Sequence, residues 1–258
     1  MFISKLKNIK KFTDFEKISN SIELIKHFDK SANSQCSLFI NYSDYIEQYG
    51  SKIVVKKIKQ FTPSSSVLRE YNILLNCNKF NNMIDYFPRP RGIFSDKHFN
   101  YIVYNYIDGI DCTIYQNNLS NNYQIVQYIK NILSLAQKMQ SIGITHLDIK
   151  PSNIIYNKYG TLSLIDLGSA RWLRHQDPRL IVQTFVRLGT PLYASPEALG
   201  RKYNCVSDVY SIGKIFKELL EKQSLPPKEC IVLCKNMLTS NPLTRPSIDD
   251  ILKHDIFA

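Results

Sequence analysis

The chain has 258 residues, 44% of them hydrophobic and 21% charged, the balance of an ordinary globular protein and not of a disordered or fibrous one. Its formal charge of +11 does not by itself indicate nucleic acid, because no zinc-finger spacing, RNA-recognition aromatic motif or continuous basic helix accompanies it. No run of roughly 18 apolar residues is present to cross a membrane, and Met1 to Phe12 alternates lysine with apolar residues, unlike a secretory core.

The six cysteines (Cys36, Cys77, Cys112, Cys205, Cys230, Cys234) are scattered without a C-x-x-C pair or a histidine at zinc spacing, which predicts reduced thiols. These features together predict an intracellular chain, cytoplasmic or nuclear, with residues 1–20 as a basic leader. Oligomeric state has no signature in the sequence.

In chain order, the first half reads as strands around one helix and the second half as mostly helices. Lys52 to Ile58 and Asn100 to Ile107 are β-branched or aromatic runs bounded by turn-forming residues, and both predict strands. Between them Ser66 to Leu75 predicts a short helix with a serine-rich entrance, and Phe87-Pro88-Arg89-Pro90 a break. Ile125, Ile129, Ile132, Leu133, Ala136 and Met139 recur at helical spacing, so Asn122 to Ile142 predicts a long helix with one buried stripe. Val206 to Leu220, Glu229 to Leu238 and Ser247 to Lys253 predict further helices.

The chemistry concentrates in Thr145-His146-Leu147-Asp148-Ile149-Lys150-Pro151-Ser152-Asn153. Pro151 forbids a continuous helix between Asp148 and Asn153, so both sit on a shaped loop. Two strands joined by a turn at Tyr159-Gly160 would then carry Asn153 beside Asp166-Leu167-Gly168. Phosphoryl transfer needs such a set: oxygen ligands for Mg²⁺ and a carboxylate near the accepting hydroxyl.

With these motifs in this order the sequence resembles the eukaryotic-type protein kinase family, from about Ile22 to Phe257. Ile53-Val54-Val55-Lys56 is similar to the strand carrying the ATP-binding lysine, and Glu70 to its helix partner. Gly189-Thr190-Pro191-Leu192-Tyr193-Ala194-Ser195-Pro196-Glu197 resembles the peptide-binding segment of serine/threonine kinases. Ser207-Asp208-Val209-Tyr210-Ser211-Ile212-Gly213 resembles the buried helix that holds the catalytic loop, and Arg245 is the arginine expected to pair with Glu197.

The resemblance implies an α+β, two-lobed fold: a small antiparallel sheet lobe with one main helix over 21–107, and a larger, mostly helical lobe over 108–258. It implies ATP and Mg²⁺ as cofactors and a protein as substrate, with Asp148 and Lys150 catalytic and Asn153 and Asp166 holding the metal. The nucleotide would meet Lys56, Glu70, Asn105, Ile107, Asp111, Ser31, Asn33, Leu38, Val54 and Ile155, while His146 would be a core residue and not a base.

The departures from the family pattern also carry information. Ser31, Asn33 and Cys36 replace the three glycines whose missing Cβ lets backbone N–H groups approach phosphate. Leu147 replaces the arginine that in many kinases reads a phosphorylated activation segment. Three readings follow: a serine/threonine protein kinase, a pseudokinase acting as a scaffold or binding module, and a kinase for sugars or other small molecules. Between Asp166 and Glu197, Arg171, Arg174, Arg179 and Arg187 face only one further acid, Asp177, which predicts acidic protein substrates.

Overall fold

The computed structural model describes residues 13–14, 22–30, 34–41, 52–60, 64–79, 86–173, 175, 177 and 179–257. In chain order the strands and helices are β1 (Thr13–Asp14), β2 (Ile22–Lys30), β3 (Ser34–Asn41), β4 (Lys52–Lys59), α1 (Ser64–Cys77), β5 (Pro90–Ser95), β6 (Phe99–Asn105) and β7 (Gly109–Asp111). There follow α2 (Cys112–Tyr115), α3 (Asn122–Ser141), β8 (Ile144–Thr145), β9 (Ile154–Asn157), β10 (Leu162–Leu164), β11 (Arg171–Trp172) and β12 (Val182–Gln183). The last are α4 (Pro196–Leu199), β13 (Lys202–Tyr203), α5 (Ser207–Leu220), α6 (Lys228–Met237) and α7 (Ile248–Leu252). Short 3₁₀ turns at Gln116–Asn118, Pro151–Asn153, Leu167–Ser169 and Asp255–Phe257 complete the described residues.

The described residues fall into two compact units, one up to Tyr71 together with Arg89–Tyr106, the other Asn72–Pro88 together with Ile107 onward. In the first, β1-β5-β6-β4-β3-β2 form one sheet in that order, antiparallel except for the short β1–β5 pair. Its register decides which side chains share a face. Cys36 stands opposite Lys56 and Leu38 opposite Val54 across β3–β4, and Lys56 opposite Ile102 and Val54 opposite Tyr104 across β4–β6.

Side chains opposite one another point the same way and alternate along each strand, so Cys36, Leu38, Val54, Lys56, Ile102 and Tyr104 share one face. A 3.5 Å contact between Cys36 Sγ and the Tyr104 hydroxyl agrees. The opposite face holds its own core of Ile53, Val55, Phe94, Tyr101 and Val103, which frees the first face to carry a lysine. The Asn100–Ile107 strand ends earlier than expected, at Asn105, whose N–H donates to Arg89 O and whose side-chain oxygen accepts the Arg89 N–H. Pro90 opens β5 instead of ending the break, as a proline can at the first position of a strand.

In the second unit α3 starts at an Asn121 side chain that accepts the Gln124 N–H and ends before Gly143, whose φ of +75° suits a residue without Cβ. All six residues of the expected stripe are fully buried, the larger ones contributing about 1.5–3 kcal/mol each. α5 packs against α3 and α6 through Val209, Ile212, Ile215, Phe216 and Leu219. The predicted hairpin is present as β9–β10, and β7, which the pattern did not reveal, joins it in the order β10-β9-β7.

Candidate active site

Within the first unit, β4 and α1 bring Lys56 and Glu70 together. Lys56 Nζ lies 2.8 and 3.0 Å from the two Glu70 oxygens, and both residues are buried. A charged pair out of water persists only when each partner compensates the other, so this two-pronged bond fixes the ammonium group on the face that also bears Val54 and Leu38. Ser31 and Asn33 lie outside the described residues, between the paired ends of β2 and β3. Asn105 donates its N–H to Arg89 O at 3.0 Å, so this backbone donor is already engaged.

Within the second unit, Asp111 stands opposite Ile155 across β7–β9, and the two share a face. One Asp111 oxygen accepts the Thr113 N–H and hydroxyl, each at 2.7 Å, and so caps α2. Ile107 is half-buried directly after the end of the first unit.

The loop from Thr145 to Asn153 is held from below by α5. The Asp208 carboxylate, fully buried, accepts the Thr145 hydroxyl at 2.8 Å and the N–H groups of His146 and Leu147 at 2.8 and 2.7 Å. His146 is also fully buried, with one ring nitrogen on Ile165 O and the other accepting the Asp148 N–H, as a core residue would be. These bonds hold Leu147 at φ +64°, a conformation that costs a non-glycine residue about 1–2 kcal/mol.

On this base the Asp148 carboxylate is gripped on both oxygens. Oδ1 accepts the Thr190 N–H at 2.8 Å and the Thr190 hydroxyl at 2.7 Å. Oδ2 meets Lys150 Nζ at 3.5 Å and the Asn153 amide at 3.2 Å. Lys150 Nζ in turn donates to the Thr190 hydroxyl at 2.8 Å. Thr190, which the sequence marked only as part of a peptide-binding segment, therefore joins the centre of the cluster.

The Asn153 amide also donates to Asp148 O at 2.9 Å, which assigns its NH₂ to Asp148 and turns its carbonyl oxygen elsewhere. The Ile165 N–H bonds to Asn153 O at 2.9 Å as the β9–β10 ladder ends, and the next residue is Asp166. Asp166 adopts φ +56°, tolerated by a short polar side chain, and is exposed, while its neighbour Leu167 is buried. A carboxylate and an amide carbonyl are the hard oxygen donors that Mg²⁺ prefers, so this pair fits the ion.

The following segment is anchored by apolar contacts and strand pairing. Leu147 packs with Leu188, Ala194, Ala198 and Tyr203, and β12 pairs with β13. A Cβ on Gly189 would meet Leu147 O at 2.5 Å, so only glycine lets the segment pass this close. Behind it, Arg245 bonds Glu197 at 2.6 and 3.1 Å, Val206 O at 3.0 Å and Thr239 O at 3.1 and 3.0 Å. Burial pushes the Glu197 carboxyl up, but the bonds and charge of Arg245 hold it below the usual carboxylate range.

Two of the segment's arginines are engaged locally. Arg171 folds onto the Gly168, Ser169 and Ala170 carbonyls, and Arg179 pairs with Asp177 at 2.7 Å. Arg174 lies outside the described residues, whereas Arg187 is exposed, as are Arg201 and Lys202.

The sequence was then compared with known proteins. It is 36% identical over 126 residues to the probable serine/threonine-protein kinase PknB of Lactococcus lactis, which covers 48% of this chain and 20% of that protein. It is 25% identical over 266 residues to Rho-associated protein kinase 1 of Homo sapiens, covering 98% and 19%. To a probable serine/threonine-protein kinase of Dictyostelium discoideum it is 30% identical over 186 residues, covering 69% and 27%. The chain thus spans only about a fifth to a quarter of the length of these curated relatives. A family model described as the protein kinase domain matches residues 34–229, over which the Lys56–Glu70 pair and the Asp148 cluster both fall, and the chain belongs to that family.

Proposed function

We propose that this chain is a serine/threonine protein kinase that uses Mg²⁺ and transfers the γ-phosphoryl group of ATP to a protein hydroxyl. The observation that carries the reading is the Asp148 carboxylate, held on both oxygens by Thr190, Lys150 and Asn153. The serine/threonine specificity rests on the names of the relatives and on the Gly189–Glu197 segment.

In this reading Asp148 orients the substrate hydroxyl and accepts its proton as the new bond from oxygen to the γ-phosphorus forms and the bond to the β-phosphate oxygen breaks. Lys150, beside Asp148, neutralises charge on the transferring group, and Lys56, braced by Glu70, grips the α and β phosphates. Asn153 and Asp166 would hold Mg²⁺, which when bound screens the negative charge of the phosphates. ADP and the phosphorylated hydroxyl are the products.

A pseudokinase reading is favoured by one specific feature, the replacement of three loop glycines by Ser31, Asn33 and Cys36. Measuring ADP release and phosphate incorporation with Mg·ATP and a generic protein substrate, with Asp148→Asn as control, separates the two. Turnover on Ser or Thr that vanishes in the variant supports the kinase. ATP binding without turnover, or equal turnover in the variant, overturns it.

A further inference from the structure

The sheet face that carries Lys56 has a second feature besides the Lys56–Glu70 pair. Cys36 Sγ lies 3.5 Å from the Tyr104 hydroxyl, although their strands are not neighbours: β4 runs between β3 and β6. Nor are the two residues level with one another. Tyr104 stands in the row of Val54 and Leu38, and Cys36 in the next row of that face, with Lys56 and Ile102.

Two strand spacings and two residues separate them, about 10 Å across the sheet and about 7 Å along it. Side chains standing upright on their own strands do not close that offset. The Tyr104 phenol therefore lies over β4, and the line from its backbone to Cys36 passes between Val54 and Lys56. Both of these residues are covered, at 7% and 6% exposed.

The crossing point matters in the nucleotide reading proposed above, on which this inference rests. Val54 and Leu38 would meet the base and Lys56 the α and β phosphates, so ATP has to run along β4 from one to the other. A ring on that line and a bound nucleotide cannot share the space. Position 36 supplies the hold on the ring. Where the family pattern has a glycine, Cys36 adds a side chain that reaches the hydroxyl, so this replacement does more than crowd a phosphate loop.

We propose that Tyr104 is a gate on the nucleotide-facing side of the sheet, latched by Cys36, which ATP has to displace in order to bind. Sulfur is a weak hydrogen-bonding partner, so the latch yields to a ligand. It lowers the apparent affinity by the fraction of molecules in which the ring has swung clear. Loss of either end of one such bond should then tighten binding about 3- to 10-fold.

The test is a double-mutant cycle read by calorimetric titration of the full chain with Mg·ATP. Cys36→Ala and Tyr104→Phe are each expected to bind about 3- to 10-fold tighter than wild type. The double variant should bind no tighter than the better single one, because both substitutions remove the same contact. Alanine keeps a Cβ at position 36, so its gain cannot come from the closer backbone approach that glycine would allow.

A second measurement needs no ATP. Cys36 is half-buried and the other five cysteines are buried, so alkylation of the folded protein by iodoacetamide, read peptide by peptide in the mass spectrometer, reports on Cys36. Tyr104→Ala should speed its modification at least about 5-fold by uncovering the thiol, with the other five still protected as the check on folding.

Variants that bind Mg·ATP no tighter than a wild type that binds it, additive gains in the double variant, or Cys36 alkylation unchanged by Tyr104→Ala each overturns the gate and leaves the kinase reading standing. No binding of Mg·ATP by any of the four proteins overturns the nucleotide reading and the gate with it; faster alkylation in Tyr104→Ala would then mark the Cys36–Tyr104 bond as a structural contact only.

Discussion

The Thr190 hydroxyl donates to the Asp148 carboxylate at 2.7 Å, and the Thr190 backbone N–H donates to the same oxygen at 2.8 Å. A residue 42 positions away along the chain thus fixes the rotamer of the proposed proton acceptor. Because Lys150 also donates to that hydroxyl, Thr190 sets the spacing between the two groups.

Thr190→Ala is therefore expected to lower kcat about 10- to 100-fold, since a hydrogen bond to a charged group is worth roughly 1.5–3 kcal/mol. Thr190→Ser keeps the hydroxyl and should restore most of the rate. Steady-state kinetics with melting curves check this. Equal rates for Thr190→Ala and wild type would mean that the backbone N–H alone holds Asp148.

The parts legible in the sequence are those with a long period or a fixed motif spacing. The α3 stripe declares itself because Ile125, Ile129, Ile132 and Met139 must all reach one core, and the Tyr159-Gly160 turn because glycine supplies φ +76° there. β7 was not legible. Its three residues exist as a strand only because β9 lies beside them, and no period can be read in so short a run. The same reason hid Thr190: its role comes from a tertiary contact with Asp148, not from its own neighbourhood.

Lys56→Met, Asp148→Asn and Asp166→Asn are each expected to reduce transfer by at least about 10²- to 10³-fold, as removal of a preorganised electrostatic partner does. The first should differ from the others in stability. Lys56→Met removes the cation facing a buried Glu70 carboxylate, a change worth about 3–5 kcal/mol, whereas Asp166 is exposed and its variant should melt near wild type. Near-normal activity of Asp166→Asn with Mg²⁺ would overturn the metal assignment.

Leu147 makes activation-segment phosphorylation unnecessary in this reading. It meets Leu188 and Ala194 of that segment in an apolar cluster, so the contact is made by burial and offers no cation to a phosphate on Thr184. Phosphatase treatment should leave activity unchanged, and enzyme silenced by it would refute the idea. Leu147→Arg, placing a charge in a cluster that contains no counter-ion, should lower the melting temperature markedly.

The Glu197–Arg245 pair gives stability a definite pH dependence. The Glu197 carboxyl titrates lower when folded than when unfolded, so the folded state binds fewer protons there. Its contribution is complete above the ordinary glutamate value of about 4.3 and fades as pH falls through the lower folded value. Arg245→Ala strands a buried carboxylate and should cost about 3–5 kcal/mol at neutral pH. The variant's deficit against wild type, followed by denaturant unfolding, should shrink as pH drops below that value. A deficit that stays constant down to acid pH would mean that lost packing, not the charge, is responsible.

Selection of acidic substrates now rests on fewer arginines than the sequence suggested. Arg179 is paired with Asp177, which offsets its charge, and Arg171 keeps its charge but has its donors turned onto backbone carbonyls. Arg187, Arg201 and Lys202 are exposed. Charge complementarity of this kind acts on encounter and specificity more than on affinity, and salt weakens it. A peptide-library screen should show aspartate and glutamate enriched beside the accepted residue, more at low than at moderate ionic strength. Arg187→Ala combined with Arg201→Ala should flatten that enrichment while leaving turnover of a neutral peptide within about twofold, as expected for exposed charges. Enrichment of arginine or lysine would refute the proposal, and a flat wild-type profile would leave these side chains as surface charge only.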